Sequence, residues 1–216
     1  MFMAERCGSW QVGDDRDAGA VEFRVFYPAG VDPGVTDIRV IGDFQPHVGG
    51  SAWDPATGLP LVRDDTDPRG TFWRAESPTP LPSDFYAYAY AVRFADGSVR
   101  EVADPCARYS GLTPQRSGIV VGGSRPADNV VRPLAGGRRP LGDLGIYELM
   151  IDDFTAGYRG GRAPLRAVMD RLDHVAGLGF DAIEFMPWTA WRHVDFDWGY
   201  EPFQYFAVES RYANDA

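Results

Sequence analysis

The chain has 216 residues, of which 44% are hydrophobic and 24% charged, a composition typical of a folded globular protein rather than of a disordered segment. Acidic residues outnumber basic ones by 31 to 21, and a net charge of −10 argues against a nucleic-acid or anionic-membrane partner. Every basic residue is Arg. The absence of Lys excludes a P-loop lysine, a pyridoxal Schiff base and a lysine nucleophile.

The few Cys and His residues indicate no metal site. Cys7 and Cys106 share no metal-ligand spacing, and a single bridge between these two stays open. The three His residues form no His-x-x-x-His pair, so we expect neither a metal nor a cofactor. Residues 1–10 resemble no signal peptide, and no segment reaches the roughly 18 apolar residues of a membrane span. We expect a cytoplasmic protein that contacts no membrane.

The first half of the chain shows the alternation of apolar and polar residues that is typical of half-buried strands. Strands are predicted over residues 21–27, 37–42, 71–76, 85–94 and 99–102, the last two joined by the turn pair Asp96-Gly97. Short strands without a helical run predict an all-β, immunoglobulin-like sandwich over residues 1–135. A stretch rich in Pro, Gly and Arg at 126–140 predicts the domain boundary.

After this boundary the pattern changes to strand, helix, strand. Residues 145–151 and 180–186 are predicted strands, and a crossover helix between them predicts that they pair in parallel. One helix is predicted from the apolar residues Leu165, Val168, Met169, Leu172, Val175 and Ala176, with Pro164 at its start and Gly177 and Gly179 at its end. The inward face of the two strands is expected to carry Ile146, Leu149, Ile183 and Phe185.

The segment 186–206 is unusually aromatic. Its rings are those of Trp188, Trp191, Phe196, Trp198, Tyr200, Phe203, Tyr205 and Phe206. The segment follows a parallel strand, where α/β folds bind ligands. Flat rings suit the apolar faces of sugars, and Asp195, Asp197 and Glu201 can accept hydrogen bonds from hydroxyl groups. The alternative is that these rings pack a long loop onto the sheet.

These residues carry a family resemblance. Residues 145–149 with 153–155 resemble the first barrel strand of the α-amylase family of glycoside hydrolases (family 13). Residues 172–187 resemble that family's first helix and second strand, and residues 198–202, with 205–208 and Tyr212, resemble the loop that follows. In the first half, residues 21–28, 40–44, 70–73, 86–90 and 104–105, with Trp53, are similar to the family 48 carbohydrate-binding module that precedes the barrel in branching enzymes and pullulanases.

The resemblance implies a multidomain chain, in which the sandwich is followed by the first β-α-β part of a (β/α)8 TIM barrel over residues 141–216. A whole barrel takes roughly 250 residues, so we expect this one to be incomplete. The resemblance implies the N-terminal portion of an enzyme of carbohydrate metabolism that hydrolyses or transfers α-1,4 or α-1,6-glucosidic bonds. The family's catalytic carboxylates come from later strands, so no catalytic residue is predicted here, and Glu148 and Glu184 are interpreted as structural. The alternative is a non-catalytic glucan-binding or interaction module.

Four aromatic residues are the candidate substrate-binding residues. Tyr200 matches the family tyrosine that stacks on the sugar at the cleavage subsite. Trp198 beside it either binds the substrate or supports the loop. Trp53 and Trp73 of the sandwich are candidate sugar platforms, or else core residues. The partner implied by the resemblance is an α-glucan: glycogen, starch or a maltooligosaccharide.

Overall fold

The structure is a computed structural model that describes residues 7–111, 113, 116–122, 136–191 and 198–213. Most of the predicted domain boundary, up to residue 135, lies outside the described residues. Residues 136–140 are described and are exposed.

The first half of the described chain folds into strands, as the alternation predicts. The strands are β1 (Gly8–Val12), β2 (Ala18–Pro28), β3 (Val35–Gly42), β4 (Leu59–Pro60), β5 (Val62–Asp67), β6 (Gly70–Glu76), β7 (Leu81–Pro82), β8 (Asp84–Phe94), β9 (Val99–Val102), β10 (Tyr109–Ser110) and β11 (Ser117–Val121). The five predicted strands correspond to β2, β3, β6, β8 and β9 and are confirmed. Single 3₁₀ turns at Gln45–Val48 and Pro55–Thr57 complete this part, and a third at Leu141–Asp143 precedes the strands of the second half.

Two sheets enclose the main core. Among the described residues, one sheet has the order β1-β2-β6-β5 with β7 beside β2, and the other contains β10-β11-β8-β3-β4 with β9 beside β8. Alternate residues of β8 turn inward, so Tyr86, Tyr88 and Tyr90 pack against Phe23 of the facing sheet. Phe23 contacts Tyr88 edge-on with ring centroids 5.2 Å apart. The predicted sandwich is therefore present.

The second half carries shorter elements. They are β12 (Ile146–Leu149), α1 (Ile151–Thr155), α2 (Pro164–Met169), α3 (Leu172–Gly177), β13 (Ala182–Phe185), β14 (Thr189–Trp191), β15 (Pro202–Val208) and α4 (Ser210–Ala213). Strands β12 and β13 pair in parallel, with Ile146 opposite Ala182, as the crossover predicts. None of the described helices is long and apolar enough to span a bilayer.

The prediction of one continuous helix over residues 164–176 is wrong. The structure contains α2 and α3, separated at Asp170 and Arg171, where the backbone of Arg171 leaves the helical region (φ −115°, ψ 7°). Asp is a poor residue for a helix interior. The Asp170 carboxylate pairs with Arg162, and the Arg171 guanidinium lies 4.8 Å from the ring centre of Tyr158. Both side chains are thus directed to the preceding loop.

The prediction that Ile146, Leu149, Ile183 and Phe185 share the inward face, which no helix covers, is wrong. Leu149 is buried and Ile183 is partly buried in a second core cluster with Val168 of α2, whereas Ile146 and Phe185 are 46% and 37% exposed. Ile146 and Leu149 are three residues apart, and successive residues of a strand face opposite sides. Ile146 therefore shares the open face with Glu148 and Glu184, not the helix-covered face with Leu149.

The aromatic segment predicted as a loop contains a strand. Strand β15 pairs with β14 in antiparallel fashion and with β10 in parallel, so it extends the second sandwich sheet to eight strands among the described residues. The fully buried Gln204 donates from Nε2 to Ser117 Oγ at 2.7 Å, and Ser110 Oγ donates to the Val208 carbonyl at 3.3 Å. The alternation of apolar and polar residues is not visible in β15, because the adjacent residues Tyr205 and Phe206 are both aromatic.

Candidate functional site

A tight turn presents the first two candidate rings. Trp198 and Gly199 have left-handed backbones, with φ of 58° and 87°. A Cβ at Gly199 would lie 2.6 Å from the Pro187 carbonyl oxygen, so only glycine allows the turn to approach this closely. The turn is therefore held against the segment that leaves β13, and Tyr200 follows directly.

The rings around this turn form an exposed aromatic group, which we call the aromatic platform and define as Trp188, Trp198 and Tyr200. Their exposed fractions are 42%, 49% and 60%. Because Gly199 contacts Pro187, the turn that carries Trp198 and Tyr200 lies beside Trp188. Glu201 is exposed next to Tyr200, whereas the predicted acceptors Asp195 and Asp197 lie outside the described residues. Exposed large rings beside a carboxylate are suited to a polyhydroxylated ligand.

A buried carboxylate connects β15 to the segment that begins with Trp188 of the platform. Glu209 is 1% exposed, and its backbone N–H donates to the Trp188 carbonyl at 3.0 Å. Its side chain accepts from the Trp191 backbone N–H at 3.4 Å and pairs with Arg211 Nε at 3.4 Å. Glu209 thus joins the end of β15 to both ends of the segment 188–191. Sequence reasoning missed it, although an acidic residue beside a helix start is a known signal.

Aromatic and ionic contacts surround Arg211, the partner of Glu209. The Arg211 guanidinium lies 4.4 Å from the ring centre of Trp191, whose ring packs against Tyr212 at 5.5 Å. Asp152 at the start of α1 pairs with Arg159 at 2.6 Å and lies 3.9 Å from Arg211. Burial raises the pKa of Tyr212, so its hydroxyl stays neutral. The predicted aromatic segment therefore divides into core rings and exposed rings.

The two sandwich tryptophans have different surroundings. Trp73 is only 6% exposed and belongs to the main core, so burial leaves it no free face for a sugar, which corrects the expectation for this residue. Trp53 is partly exposed and adopts a left-handed backbone (φ 62°). It packs on the small cluster around Ile41, and the Arg116 guanidinium lies 3.7 Å from its ring centre. A sugar stacked on this face would have to replace Arg116.

A groove of about 330 Å³ shares Ala91 with the small cluster on which Trp53 packs. It is lined by Asp37, Arg39, Pro55, Ala56, Ala91, Arg93 and Val99. The Arg39 side chain is held by Asp37 at 3.1 Å and by the Ala56 carbonyl at 3.4 Å. The groove offers charged hydrogen-bonding groups without an aromatic floor, so it is a weaker sugar site than the platform.

The acidic pair on the parallel strands belongs neither to the aromatic platform nor to the groove. Glu148 and Glu184 are opposite each other in the register of β12 and β13, and both are exposed. Within the part of the chain that the structure describes, no group of three or more His, Cys, Asp or Glu residues is arranged to hold a metal ion.

Comparisons with known proteins place this geometry in context. No family model matches the chain. The 1,4-alpha-glucan branching enzyme GlgB of Ralstonia nicotianae is 28% identical over 214 residues, which cover 96% of this chain and 26% of that enzyme. The malto-oligosyltrehalose trehalohydrolase of Rhizobium sp. is 40% identical over 80 residues, 37% of this chain and 12% of that enzyme.

The chain is a relative of the α-amylase-family enzymes. Its matches lie in their N-terminal part, and it spans about a quarter or less of the length of these curated relatives. A pullulanase of Paenibacillus barengoltzii, solved in complex with maltotriose, has the same fold over 94% of this chain and 33% of its own, with a TM-score of 0.62 at 20% identity. The resemblance seen in the residues is confirmed as similarity to the N-terminal part of enzymes of this family.

Proposed function

We propose that this chain is the N-terminal portion of an α-amylase-family enzyme that acts on an α-glucan, and that it binds glucan through the aromatic platform. The observation that carries the proposal is the exposed Tyr200, presented by the Trp198-Gly199 turn, which is held against Pro187 just after the parallel strand β13. The relatives support the substrate class, since they include 1,4-alpha-glucan branching enzymes and a pullulanase complexed with maltotriose.

The proposal includes a division of labour within the polypeptide. Residues 1–135 form the carbohydrate-binding-module-like sandwich, and residues 141–216 form the start of the catalytic barrel, with Glu148 and Glu184 as structural carboxylates. Cleavage or transfer of α-1,4 or α-1,6 bonds then depends on carboxylates of later strands, because retention needs a nucleophile and an acid about 5 Å apart. The 216-residue protein is expected to release no reducing sugar from glycogen or pullulan. Release above that of a protein-free control would overturn this part.

Binding is tested with Tyr200→Ala. Loss of one stacked ring is expected to weaken binding of a maltooligosaccharide by about 1–2 kcal/mol, which is roughly five- to thirty-fold. Calorimetric titration with maltoheptaose measures it. Tyr205→Ala is the matched control, because Tyr205 is 69% exposed but lies in β15, outside the platform. Equal losses in both variants, or none in Tyr200→Ala, would refute the assignment of the site.

The second candidate function is a non-catalytic glucan-binding or interaction module. The observation that favours it is the shared sheet, in which β15 pairs with β10 and so joins the second half to the sandwich. A single cooperative melt of a monodisperse 216-residue protein would support this alternative, and separate melting of the two halves would count against it. A cytoplasmic location remains part of the proposal, to be checked by fractionation of the source cells.

A further inference from the structure

Two cysteines that are distant in sequence lie close together in the sandwich, beside the buried Asp104. Cys7 comes directly before β1, and Cys106 lies in the turn after β9. Both thiols are free, and each shifts the pKa of the other. Cys7 is 3% exposed, whereas Cys106 is partly exposed. One thiol of the pair is therefore accessible to a reagent, and the other is reached only through it.

The backbone holds the two cysteines in this arrangement. A Cβ placed on Gly8 would lie 2.9 Å from the Cys106 carbonyl oxygen and 3.8 Å from the Cys106 Cβ. Gly8 has a φ of +112° and pairs with Arg24 of β2, which fixes the chain next to Cys7. On the other side, the Cys106 N–H donates to Asp104 Oδ1 at 2.8 Å. The backbone next to Cys7 is therefore in close contact with the backbone of Cys106.

The surroundings give the two sulfur atoms different chemistry. Interaction with the Cys106 side chain lowers the pKa of the Cys7 thiol, and interaction with Cys7 raises the pKa of the Cys106 thiol. The negative charge of Asp104 raises the pKa of both thiols, and the positive charge of Arg24 lowers the pKa of Cys7. Since the thiolate is the attacking species in disulfide exchange, the lowered pKa favours Cys7 as the nucleophile of the intramolecular step. Exposure makes Cys106 the sulfur that an external disulfide reaches first, once its thiol has lost its proton.

We propose that Cys7 and Cys106 are an oxidative modification site, and that they form an intramolecular disulfide on exposure to a low-molecular-weight disulfide such as oxidised glutathione. The accessible Cys106 sulfur first attacks the oxidant, forming a mixed disulfide and expelling one glutathione thiolate. The Cys7 thiolate then attacks the Cys106 sulfur and expels the second. Two electrons pass from the cysteines to the oxidant, and their two protons end on the two glutathione thiols.

The test uses the whole 216-residue protein, reduced and then incubated with oxidised glutathione at neutral pH. Free-thiol titration and intact mass follow the reaction, with Cys7→Ser and Cys106→Ser as matched variants. We expect the wild type to lose both thiols and two hydrogen masses, to stay monomeric, and to recover both thiols with a dithiol reductant. The bond closes a loop of about 100 residues, so a rise of roughly 5–10 °C in the melting temperature of the oxidised form is expected.

The variants separate the steps. Cys7→Ser is expected to stop at the glutathione adduct of Cys106, whereas Cys106→Ser is expected to react far more slowly, because Cys7 is buried. A stable glutathione adduct in the wild type, a disulfide-linked dimer, or retention of both thiols would each overturn the proposal. Circular dichroism of both variants verifies that the sandwich is folded, and Cys7→Ala and Cys106→Ala replace a variant that is not.

Discussion

Asp104 is a carboxylate in the centre of the sandwich, and it provides the sharpest test of the structure. It is fully buried, and its Oδ2 accepts from the hydroxyls of Tyr88 at 2.8 Å and Tyr90 at 3.1 Å. Its backbone N–H donates to Ser117 Oγ at 2.8 Å. Burial raises the pKa of the Asp104 carboxyl from 3.8 to about 6, although its hydrogen bonds act in the opposite direction. We predict that Asp104→Asn changes how stability depends on pH.

The sign and size follow from linkage. Between pH 3.8 and about 6 the folded state holds the Asp104 proton that the unfolded state has released. The free energy of unfolding contributed by this group therefore falls as the pH rises through this window, and is highest below the unfolded pKa. A difference of about two pKa units corresponds to about 3 kcal/mol. Relative to Asp104→Asn, the wild type should lose about 3 kcal/mol between pH 4 and pH 8.

Urea unfolding of both proteins at pH 4, 5, 6, 7 and 8 measures this difference. Other carboxylates titrate in both proteins, so their contribution cancels when the two curves are subtracted. Asp173→Asn, at an exposed position in α3, is the matched control for the loss of a carboxyl group from the surface. If the wild type gains stability relative to Asp104→Asn as the pH rises, or if the difference is flat, the burial argument is wrong.

Two further predictions concern the backbone and the shared sheet. Gly8→Ala should destabilise the protein by about 1–3 kcal/mol, because Gly8 has a left-handed φ and a Cβ there would meet the Cys106 carbonyl. Gly13→Ala is the control and should cost less, because Gly13 also has a left-handed φ but has open space around it. Thermal melts in which Gly13→Ala is the less stable variant would contradict this. Gln204→Ala should remove the hydrogen bond to Ser117 and speed tryptic cleavage within residues 138–162 severalfold, since about 1–3 kcal/mol is lost, while an N-terminal fragment survives. Equal cleavage of the variant and the wild type on gels would refute it.

The sequence predicted those strands whose two faces differ. In β2 apolar residues alternate with Glu22 and Arg24, and in β8 Tyr alternates with Ala although the Ala face is buried too, so alternation is visible in the sequence. It failed at β15, where the exposed Tyr205 and Phe206 adjoin and the pairing partner, β10, is only two residues long. It also failed at Asp170, because the ion pair with Arg162 that helps to divide the helix is a tertiary contact that periodicity does not report.

The candidate site was predictable only where the backbone gives a signal. The Trp198-Gly199-Tyr200 turn was found through its resemblance to a family motif, and the structure explains its glycine by the approach to Pro187. Nothing in the sequence separates Trp73, in the core, from Trp53, whose ring is covered by Arg116. Those environments depend on which face a residue takes and on a cation from a distant strand end, and both are properties of the folded chain.

The parallel pairing of β10 with β15 leaves β10 without this partner strand while the protein is being synthesised. Ser110 and Val208, which hydrogen-bond across this junction, are 98 positions apart. At about 5–20 residues per second, a ribosome needs roughly 5–20 s to make the intervening segment. During that interval the nascent sandwich ends at β10, an edge of only two residues, and so short an edge is a poor template for pairing with another chain. The brevity of β10 thus protects the growing polypeptide until its own late strand arrives.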